Sequence, residues 1–215
     1  GLSDSYVFFG YIDQLLLGEE LARQGVEPVL DYFARDVELG LGTQLWLIRG
    51  DTAQVAVRAG EENGVDSRLS TLQTDSEMGA AGIPRTVGET SAALLEWGSA
   101  YLPALRAVEQ EREGETALLE AGYGVLRNGR LVGYLDGESA RGLELLTGRT
   151  TADILEVELP SGRTVARLTG AAVQWSPEFH GDELKKLRLT CRVNAALAEG
   201  RRQLEEREQE ELRRA

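Results

Sequence analysis

Residues Gly124 to Asp136 read Gly-Val-Leu-Arg-Asn-Gly-Arg-Leu-Val-Gly-Tyr-Leu-Asp, and this stretch decides the fold of the second half of the chain. The Asn128-Gly129 pair lies between two short segments that are rich in Val and Leu. A two-residue type I′ turn needs a positive φ at both central positions, and Asn followed by Gly supplies it at low steric cost. The stretch therefore predicts an antiparallel β-hairpin.

Further antiparallel structure is predicted downstream of this hairpin. Asp136 is expected to cap a helix that runs to Leu146. Residues 154–159 and 164–175 are strand-like and are joined by Ser161-Gly162, which predicts a second hairpin. Residues 184–197 alternate again and place Cys191 on an apolar face, where we expect it to be buried as a small hydrophobe. The last residues, 199–215, are expected to form a charged helix.

The first half of the chain has the pattern of a crossover unit. A strand is predicted at residues 6–12, a helix at 18–25, a second helix from Pro28, and a strand at 44–49. Two strands joined through helices are expected to run parallel. Asp51 is expected to cap a third helix. Residues 65–90 have no clear period and are loop-like around Pro84.

The predicted fold class is α+β (mixed α/β). A partial N-terminal α/β domain with the strand–helix–helix–strand crossover is expected in residues 1–88. An antiparallel, hairpin-rich α+β region that ends in the C-terminal helix is expected in residues 89–215, and we expect this region to be truncated.

Composition excludes several classes of function. The chain has 215 residues with 36 Asp and Glu against 23 Lys and Arg, so its formal net charge is −13. Such a chain repels phosphate, which argues against nucleic-acid binding, and it is repelled by anionic lipid headgroups. A single Cys and a single His exclude an internal disulfide and a site with several His ligands.

Individual motifs supply no chemistry. The glycines at 122 and 124 lie within a strand pattern, so they do not form a phosphate loop. Arg49-Gly-Asp51 is interpreted as a strand end followed by a helix cap, and His180 as a turn residue. Glu19 and Glu20 are adjacent on a helix and point about 100° apart, so we expect a solvated face. No catalytic, cofactor-binding or metal-binding residue is predicted.

A resemblance to a known family is carried by the hairpin and its flanks. Residues 123–148 resemble the C subunit of spore nutrient germinant receptors, the Ger(x)C family, which has Leu-Val-Gly-Trp-Leu, an acidic cap and Thr-Arg-Gly in this region. Here Tyr134 stands at the Trp position, and Ala140 precedes Arg141-Gly142. Residues 18–36 resemble the family's N-terminal domain and end in Arg35-Asp36, followed by Val37 where the family has Pro. Residues 101–103 and 176–199 match in order.

The resemblance implies a non-enzymatic lipoprotein on the outer face of the spore inner membrane. It implies that the protein acts in nutrient-triggered germination with the integral membrane A and B subunits of the receptor. Membrane attachment is expected only through an N-terminal lipid, which is absent from this chain. Because the family's last domain continues past the position of Ala215, we expect a partial chain or a divergent short member.

Three residues are candidates for structural or contact roles: Arg35, Asp36 and Arg141. Two other functions stay open from the residues alone. One is a small-molecule module that itself binds the germinant. The other is a hydrolase, which the single His and the lack of a nucleophile motif disfavour.

Overall fold

The computed structural model describes residues 12–36, 39–58, 64–77, 82–109, 116–149, 153–159 and 162–197. The chain forms two compact units, one containing the described residues up to Ala140 and the other those from Arg141 onward. The domain division predicted at residue 88 stays a prediction. The predicted helix at residues 199–215 lies outside the described part of the chain.

The first unit begins with the predicted crossover. Strand β1 (Gln14–Gly18), helix α1 (Glu19–Gln24), helix α2 (Glu27–Arg35) and strand β2 (Gln44–Ile48) follow one another, and the two strands pair in parallel. The order and the parallel pairing confirm the prediction, but β1 lies after the strand expected at residues 6–12. Of that expected strand, residues 6–11 lie outside the described residues.

Three more helices follow in the first unit: α3 (Ala53–Arg58), α4 (Val65–Glu77) and α5 (Val87–Trp97). Helix α4 was not predicted, because Ser, Thr and Asp interrupt its apolar pattern. Among residues 65–75, the part of the helix whose burial is described, the buried side chains are Leu69 and Leu72. The hydroxyls of Thr71 and Thr74 donate to the carbonyls four residues earlier. Helix propensity is therefore weak here, and tertiary packing decides the structure.

Three antiparallel strands complete the five-stranded sheet in the order β1-β2-β3-β4-β5: β3 (Ser99–Glu109), β4 (Thr116–Arg127) and β5 (Arg130–Leu135). Asn128 and Gly129 have φ angles of 48° and 69°, so the predicted hairpin turn is confirmed. Pro103 lies inside β3. The strand register shifts directly after it, which is where a sheet accommodates Pro.

The sheet of the first unit is buried on both faces. Leu45 and Leu47 of β2 pack against α1, α2 and α5, whereas Trp46 and Ile48 pack against α3 and α4. Because side chains alternate along a strand, a strand covered on both faces has a continuous apolar run, as β2 does.

Two glycines in β4 explain the Gly-Tyr-Gly motif. Gly122 has a φ of 73°, and a Cβ there would overlap the carbonyl oxygen of Leu135. A Cβ at Gly124 would overlap the buried side chain of Leu47. The motif therefore serves close packing between strands.

The second unit contains an antiparallel sheet in the order β6-β7-β8: β6 (Asp153–Leu159), β7 (Gly162–His180) and β8 (Glu183–Leu197). The connecting helix, α6 (Gly137–Leu146), begins in the first unit. The β6–β7 pairing confirms the hairpin predicted at residues 154–175, β8 confirms the alternating segment predicted at residues 184–197, and the fold class is α+β as predicted. The expected burial of Cys191 is wrong: its thiol is exposed, because no layer of the described second unit covers that face of the sheet.

Candidate functional site

A cluster of polar side chains lies where β1 and β2 end. Because these strands are parallel, their carboxyl ends meet at one edge of the sheet, which is where α/β proteins commonly place functional groups. Glu19 follows β1 and Arg49 follows β2. We call the five side chains that meet here the Glu19 cluster: Glu19, Arg23, Arg49, Tyr134 and Asp136.

Glu19 is the centre of the cluster. Its carboxylate accepts hydrogen bonds from the hydroxyl of Tyr134 at 2.6 Å, the backbone N–H of Gly50 at 2.5 Å, and Nη2 of Arg23 at 2.6 Å. The Tyr134 hydrogen bond is the largest cause of a lowered pKa at Glu19. Burial of the carboxyl opposes this shift, and the bonds from Gly50 and Arg23 add to it.

Tyr134 acts as a hydrogen-bond donor in this arrangement. Burial is the first cause that raises the pKa of its hydroxyl well above the ordinary value, followed by the bond to Glu19 and the negative charge of that carboxylate. The tyrosine therefore stays protonated and the carboxylate stays charged at neutral pH. A charged acceptor makes this hydrogen bond stronger than one between neutral groups.

Arg49 joins the cluster to the start of α6. Its guanidinium carbon lies 4.4 Å from the centre of the Tyr134 ring, and its Nη1 donates to Asp136 at 2.8 Å. The same nitrogen also lies 3.4 Å from the carbonyl oxygen of Ala121. The planar guanidinium can stack on the ring and bind the carboxylate at once. Three separate chain segments are thereby held together.

An open groove of about 870 Å³ lies beside the cluster and is named the β1–β2 groove here. It is lined by the end of β1, by every residue of α1 except Ala22, and by residues 50–54. Glu20, Asp51 and Gln54 are exposed along it. Within the described ranges, no group of three or more His, Cys, Asp or Glu side chains is placed to hold a metal ion.

The candidates from the sequence lie elsewhere. Nε of Arg35 pairs with Asp31 at 2.9 Å on an exposed face of α2, and the backbone N–H of Asp36 donates to the carbonyl of Tyr32 where that helix ends. Arg141 is exposed on α6. None of these three belongs to the Glu19 cluster, and their structural or contact roles stay predictions.

The residues that do form the cluster were missed or given other roles. Glu19 was assigned to a solvated face, although its side chain is 19% exposed and fully engaged. Asp136 was expected to cap α6. Its backbone carbonyl accepts from the N–H of Ser139 in the first turn, while its carboxylate binds Arg49. Glu19 and Tyr134 both fall in blocks that resemble the family, although Tyr134 itself stands where the family has Trp.

Comparison with known proteins assigns the family. A model of the spore germination protein N-terminal domain matches residues 2–107, and a model described as Spore germination B3/GerAC like, C-terminal, matches residues 121–215. The chain belongs to the GerAC family of spore germination proteins. The predicted resemblance is thereby confirmed, and the two models match this GerAC-family chain in their expected order.

Two known proteins are similar to the GerAC-family chain, one in sequence and one in structure. It is 29% identical over 161 residues to spore germination protein B3 of Bacillus subtilis (strain 168), a match that covers 72% of this chain and 41% of that protein. The crystal structure of the GerBC protein matches with a TM-score of 0.66 at 20% identity, over 94% of this chain and 58% of the other. This match confirms the fold. The chain thus spans about half the length of these relatives.

No helix in the described part of the GerAC-family chain is both long and apolar enough to cross a bilayer. The two family matches indicate a germinant-receptor C-subunit family that is involved in spore germination. Together with the fold, they define the class of protein within which the Glu19 cluster and the β1–β2 groove must be interpreted.

Proposed function

We propose that this chain is part of the ectodomain of a germinant-receptor C subunit that acts through protein–protein contacts and catalyses no reaction. The observation that carries the proposal is the internal pairing of the Glu19 cluster. Its carboxylates, tyrosine and arginines bind one another or the backbone. A reaction site would instead hold an acid, base or nucleophile ready for substrate.

The proposed partners are the integral membrane A and B subunits of the receptor. The proposed location is the outer face of the spore inner membrane, with attachment through an N-terminal lipid on the full-length protein. A covalent lipid suits a chain with a net charge of −13, because charge alone would oppose binding to an anionic bilayer. In this proposal the first unit presents a fixed surface to its partners.

The rim of the β1–β2 groove is the proposed contact surface of the first unit. Glu20 and Asp51 are exposed there, whereas Glu19 and Gly50 between them are fixed by a hydrogen bond. Rigid presentation lowers the entropic cost of association. Acidic residues at a rim steer a basic partner and add mainly to the rate and specificity of binding.

The experiment uses spores that lack the gene and express the full-length protein. The variant Glu20→Lys/Asp51→Lys reverses the charge of the rim, and Glu96→Lys on the exposed side of α5 is the control. We expect the rim variant to lose most nutrient-triggered germination and to capture less of the membrane subunits, with a melting temperature close to that of the control, because Glu20 and Asp51 make only exposed local hydrogen bonds. The control should germinate normally.

Two outcomes would overturn the proposal. Normal germination and capture with the rim variant would remove the groove rim as a contact surface. Turnover by the purified chain in a broad esterase, phosphatase and peptidase screen would remove the non-enzymatic role.

Arg141 provides a separate test of contacts outside the first unit. If it makes a partner contact, Arg141→Ala should impair receptor assembly and leave the melting temperature unchanged. A fall of many degrees in melting temperature would instead assign it a structural role.

A second candidate function is a module that binds the germinant directly. The size of the β1–β2 groove favours it, because ligand sites commonly enclose about 300–1,000 Å³. Calorimetric titration of the chain with amino acids and sugars separates the two functions. Saturable heat at one site that Arg23→Ala abolishes would favour direct binding of the germinant. If no heat is measured and spores that carry Arg23→Ala germinate normally, the result would favour a function through protein–protein contacts.

A further inference from the structure

The residue before helix α6 has its carboxylate bound to another part of the chain. Asp136 stands directly before Gly137, where an Asp side chain ordinarily accepts from the N–H groups of the first helical turn. Its Oδ2 instead accepts from Nη1 of Arg49 at 2.8 Å, and the N–H of Ser139 donates to the Asp136 backbone carbonyl at 3.1 Å. The side chain that the sequence predicts as a cap is therefore engaged elsewhere.

Gly137 makes this arrangement possible. Its φ of 52° is left-handed, whereas a helical residue ordinarily has a φ near about −63°. A Cβ at Gly137 would meet no atom within 4 Å, so packing does not demand glycine there. Glycine adopts either sign of φ about equally readily. The backbone between β5 and α6 therefore has a second conformation open to it, in which the Asp136 carboxylate faces the first turn.

Two partners of similar strength compete for the Asp136 carboxylate. The side chains of Arg49 and Asp136 are 35% and 62% exposed, and the contribution of such an ion pair is of the same order as that of an Asp cap. The outcome then depends on how firmly Arg49 is held. Arg49 stacks on the ring of Tyr134, whose hydroxyl donates to Glu19.

We propose that the start of α6 is a two-position switch, in which the Asp136 carboxylate exchanges between Arg49 and the first-turn N–H groups, and that the Glu19 cluster sets its position. Glu19 also lines the β1–β2 groove. A basic group that binds at the groove rim and draws Glu19 away from Tyr134 loosens Arg49 and releases Asp136 to cap the helix. This trigger rests on the proposed function of the rim.

Helix α6 is the segment on which the switch acts. It begins in the first unit, and its residues from Arg141 onward are counted with the second unit, so it connects the two. A side-chain cap stabilises the first turn of a helix. Occupancy of the groove thereby changes the stability of the connecting helix at its start, through contacts that all lie within the first unit.

The test is amide hydrogen exchange in the purified chain, followed by NMR. A cap side chain binds the N–H of the second or third helical residue, here Glu138 or Ser139. Ser139 already donates to the Asp136 carbonyl, so the N–H of Glu138 is the reporter. Arg49→Gln removes the competing partner and should slow exchange at Glu138 about fivefold, the factor that corresponds to a typical cap.

Two further variants check the cause of this slowing. Arg35→Gln removes a comparable exposed ion pair from α2 and should leave the exchange at Glu138 unchanged. The double variant Arg49→Gln/Asp136→Ala should restore fast exchange, because no carboxylate then remains to cap the helix. Circular dichroism and the melting temperature check that each variant retains its fold.

Gly137→Ala moves the switch without touching the Glu19 cluster. Ala disfavours a positive φ, so this variant should also slow the exchange at Glu138. Gly142→Ala is the control, because it lies in the same helix and its added methyl would meet no atom within 4 Å.

Glu19→Gln tests the link between the groove and the switch. It weakens the bond that holds Tyr134, so it should slow the exchange at Glu138 in the same direction, by less than Arg49→Gln does. Glu96→Gln, on the exposed side of α5, should have no effect.

Three results would overturn the proposal. Unchanged exchange at Glu138 in both Arg49→Gln and Gly137→Ala would mean that the Asp136 carboxylate has no second position. A slowing that persists in Arg49→Gln/Asp136→Ala would assign it to another group. A Glu19→Gln variant that matches its control would disconnect the cluster from α6. Because these measurements use the chain alone, they are independent of the rim contact, which the germination of the rim variant tests.

Discussion

The hydroxyl of Tyr134 donates a 2.6 Å hydrogen bond to the carboxylate of Glu19, although the two residues are 115 positions apart in the sequence. This bond connects the start of α1 with the end of β5, and Arg49 stacks on the same tyrosine ring. Each of the two bonded residues lies in a block that resembles the GerAC family. Tyr134 stands where the family pattern has Trp, so the hydroxyl bond itself is not part of that pattern.

Replacing Tyr134 with Phe should remove the donor and keep the ring. A hydrogen bond to a charged group contributes roughly 1.5–3 kcal/mol to the free energy of unfolding. Because this bond is partly exposed, we expect Tyr134→Phe to lower the free energy of unfolding by about 1–2 kcal/mol. The measurement is urea unfolding at neutral pH, and Tyr32→Phe on the exposed face of α2 is the matched control. Equal losses for the two variants would contradict a specific role for the Tyr134 bond.

Ionisation of Glu19 should make the free energy of unfolding depend on pH in the acidic range. Its pKa in the folded chain lies below the ordinary value of 4.5, so the folded state favours the carboxylate. The resulting stability is fully present above about pH 5 and disappears as the pH falls through 4.5 toward the lowered pKa. We expect the free energy of unfolding of the parent chain to fall more steeply below about pH 5 than that of Glu19→Gln. Parallel curves would refute this account.

Substitution of the two β4 glycines should be costly to different degrees. At Gly124 an added methyl overlaps the side chain of buried Leu47, and such overpacking typically costs about 1–3 kcal/mol. At Gly122 the obstacle is the backbone of Leu135 and the φ is positive, so Gly122→Ala should cost more.

Thermal unfolding of Gly122→Ala and Gly124→Ala checks the ranking. Gly133→Ala is the control, because a Cβ at Gly133 would meet no atom within 4 Å. A control that is as unstable as Gly122→Ala would mean that strand glycines matter for a reason other than the overlap.

The start of α5 should depend on Thr86. Its hydroxyl accepts from the N–H of Glu89 and the Glu89 carboxylate accepts from the N–H of Thr86, each at 3.1 Å, which forms a capping box. Thr86→Ala should therefore cost about 1 kcal/mol, whereas Thr86→Ser should cost much less because it retains the hydroxyl. Urea unfolding measures both, and identical losses would show that the cap is not responsible.

Short stretches of sequence made much of the fold predictable. Asn128-Gly129 predicts a turn because these two residue types tolerate the positive φ angles that the turn requires. The continuous apolar run of β2 predicts a buried strand, and the structure covers this strand on both faces. Helix α4 could not be predicted from the sequence, because few of its positions are buried and its polar residues favour other conformations. The exposure of the Cys191 thiol could not be predicted, because alternation along a strand shows which residues share a face of the sheet. It does not show whether another layer of the protein covers that face.

The Glu19 cluster could not be predicted from spacing. Its partners Gly50 and Tyr134 lie 31 and 115 positions from Glu19, so only the tertiary fold brings them together. Adjacent carboxylates on a short helix resemble any solvated surface. The family resemblance marked the correct segments without saying that they touch.

Germination of spores that lack this gene tests the central claim most directly. The claim is that the chain belongs to a receptor subunit required for the response to nutrients. The account predicts that the mutant spores lose the response to at least one nutrient and still germinate normally with a non-nutrient trigger, and that the full-length gene restores the response. Normal germination with every nutrient tried, in a strain that lacks all related receptors, would contradict it.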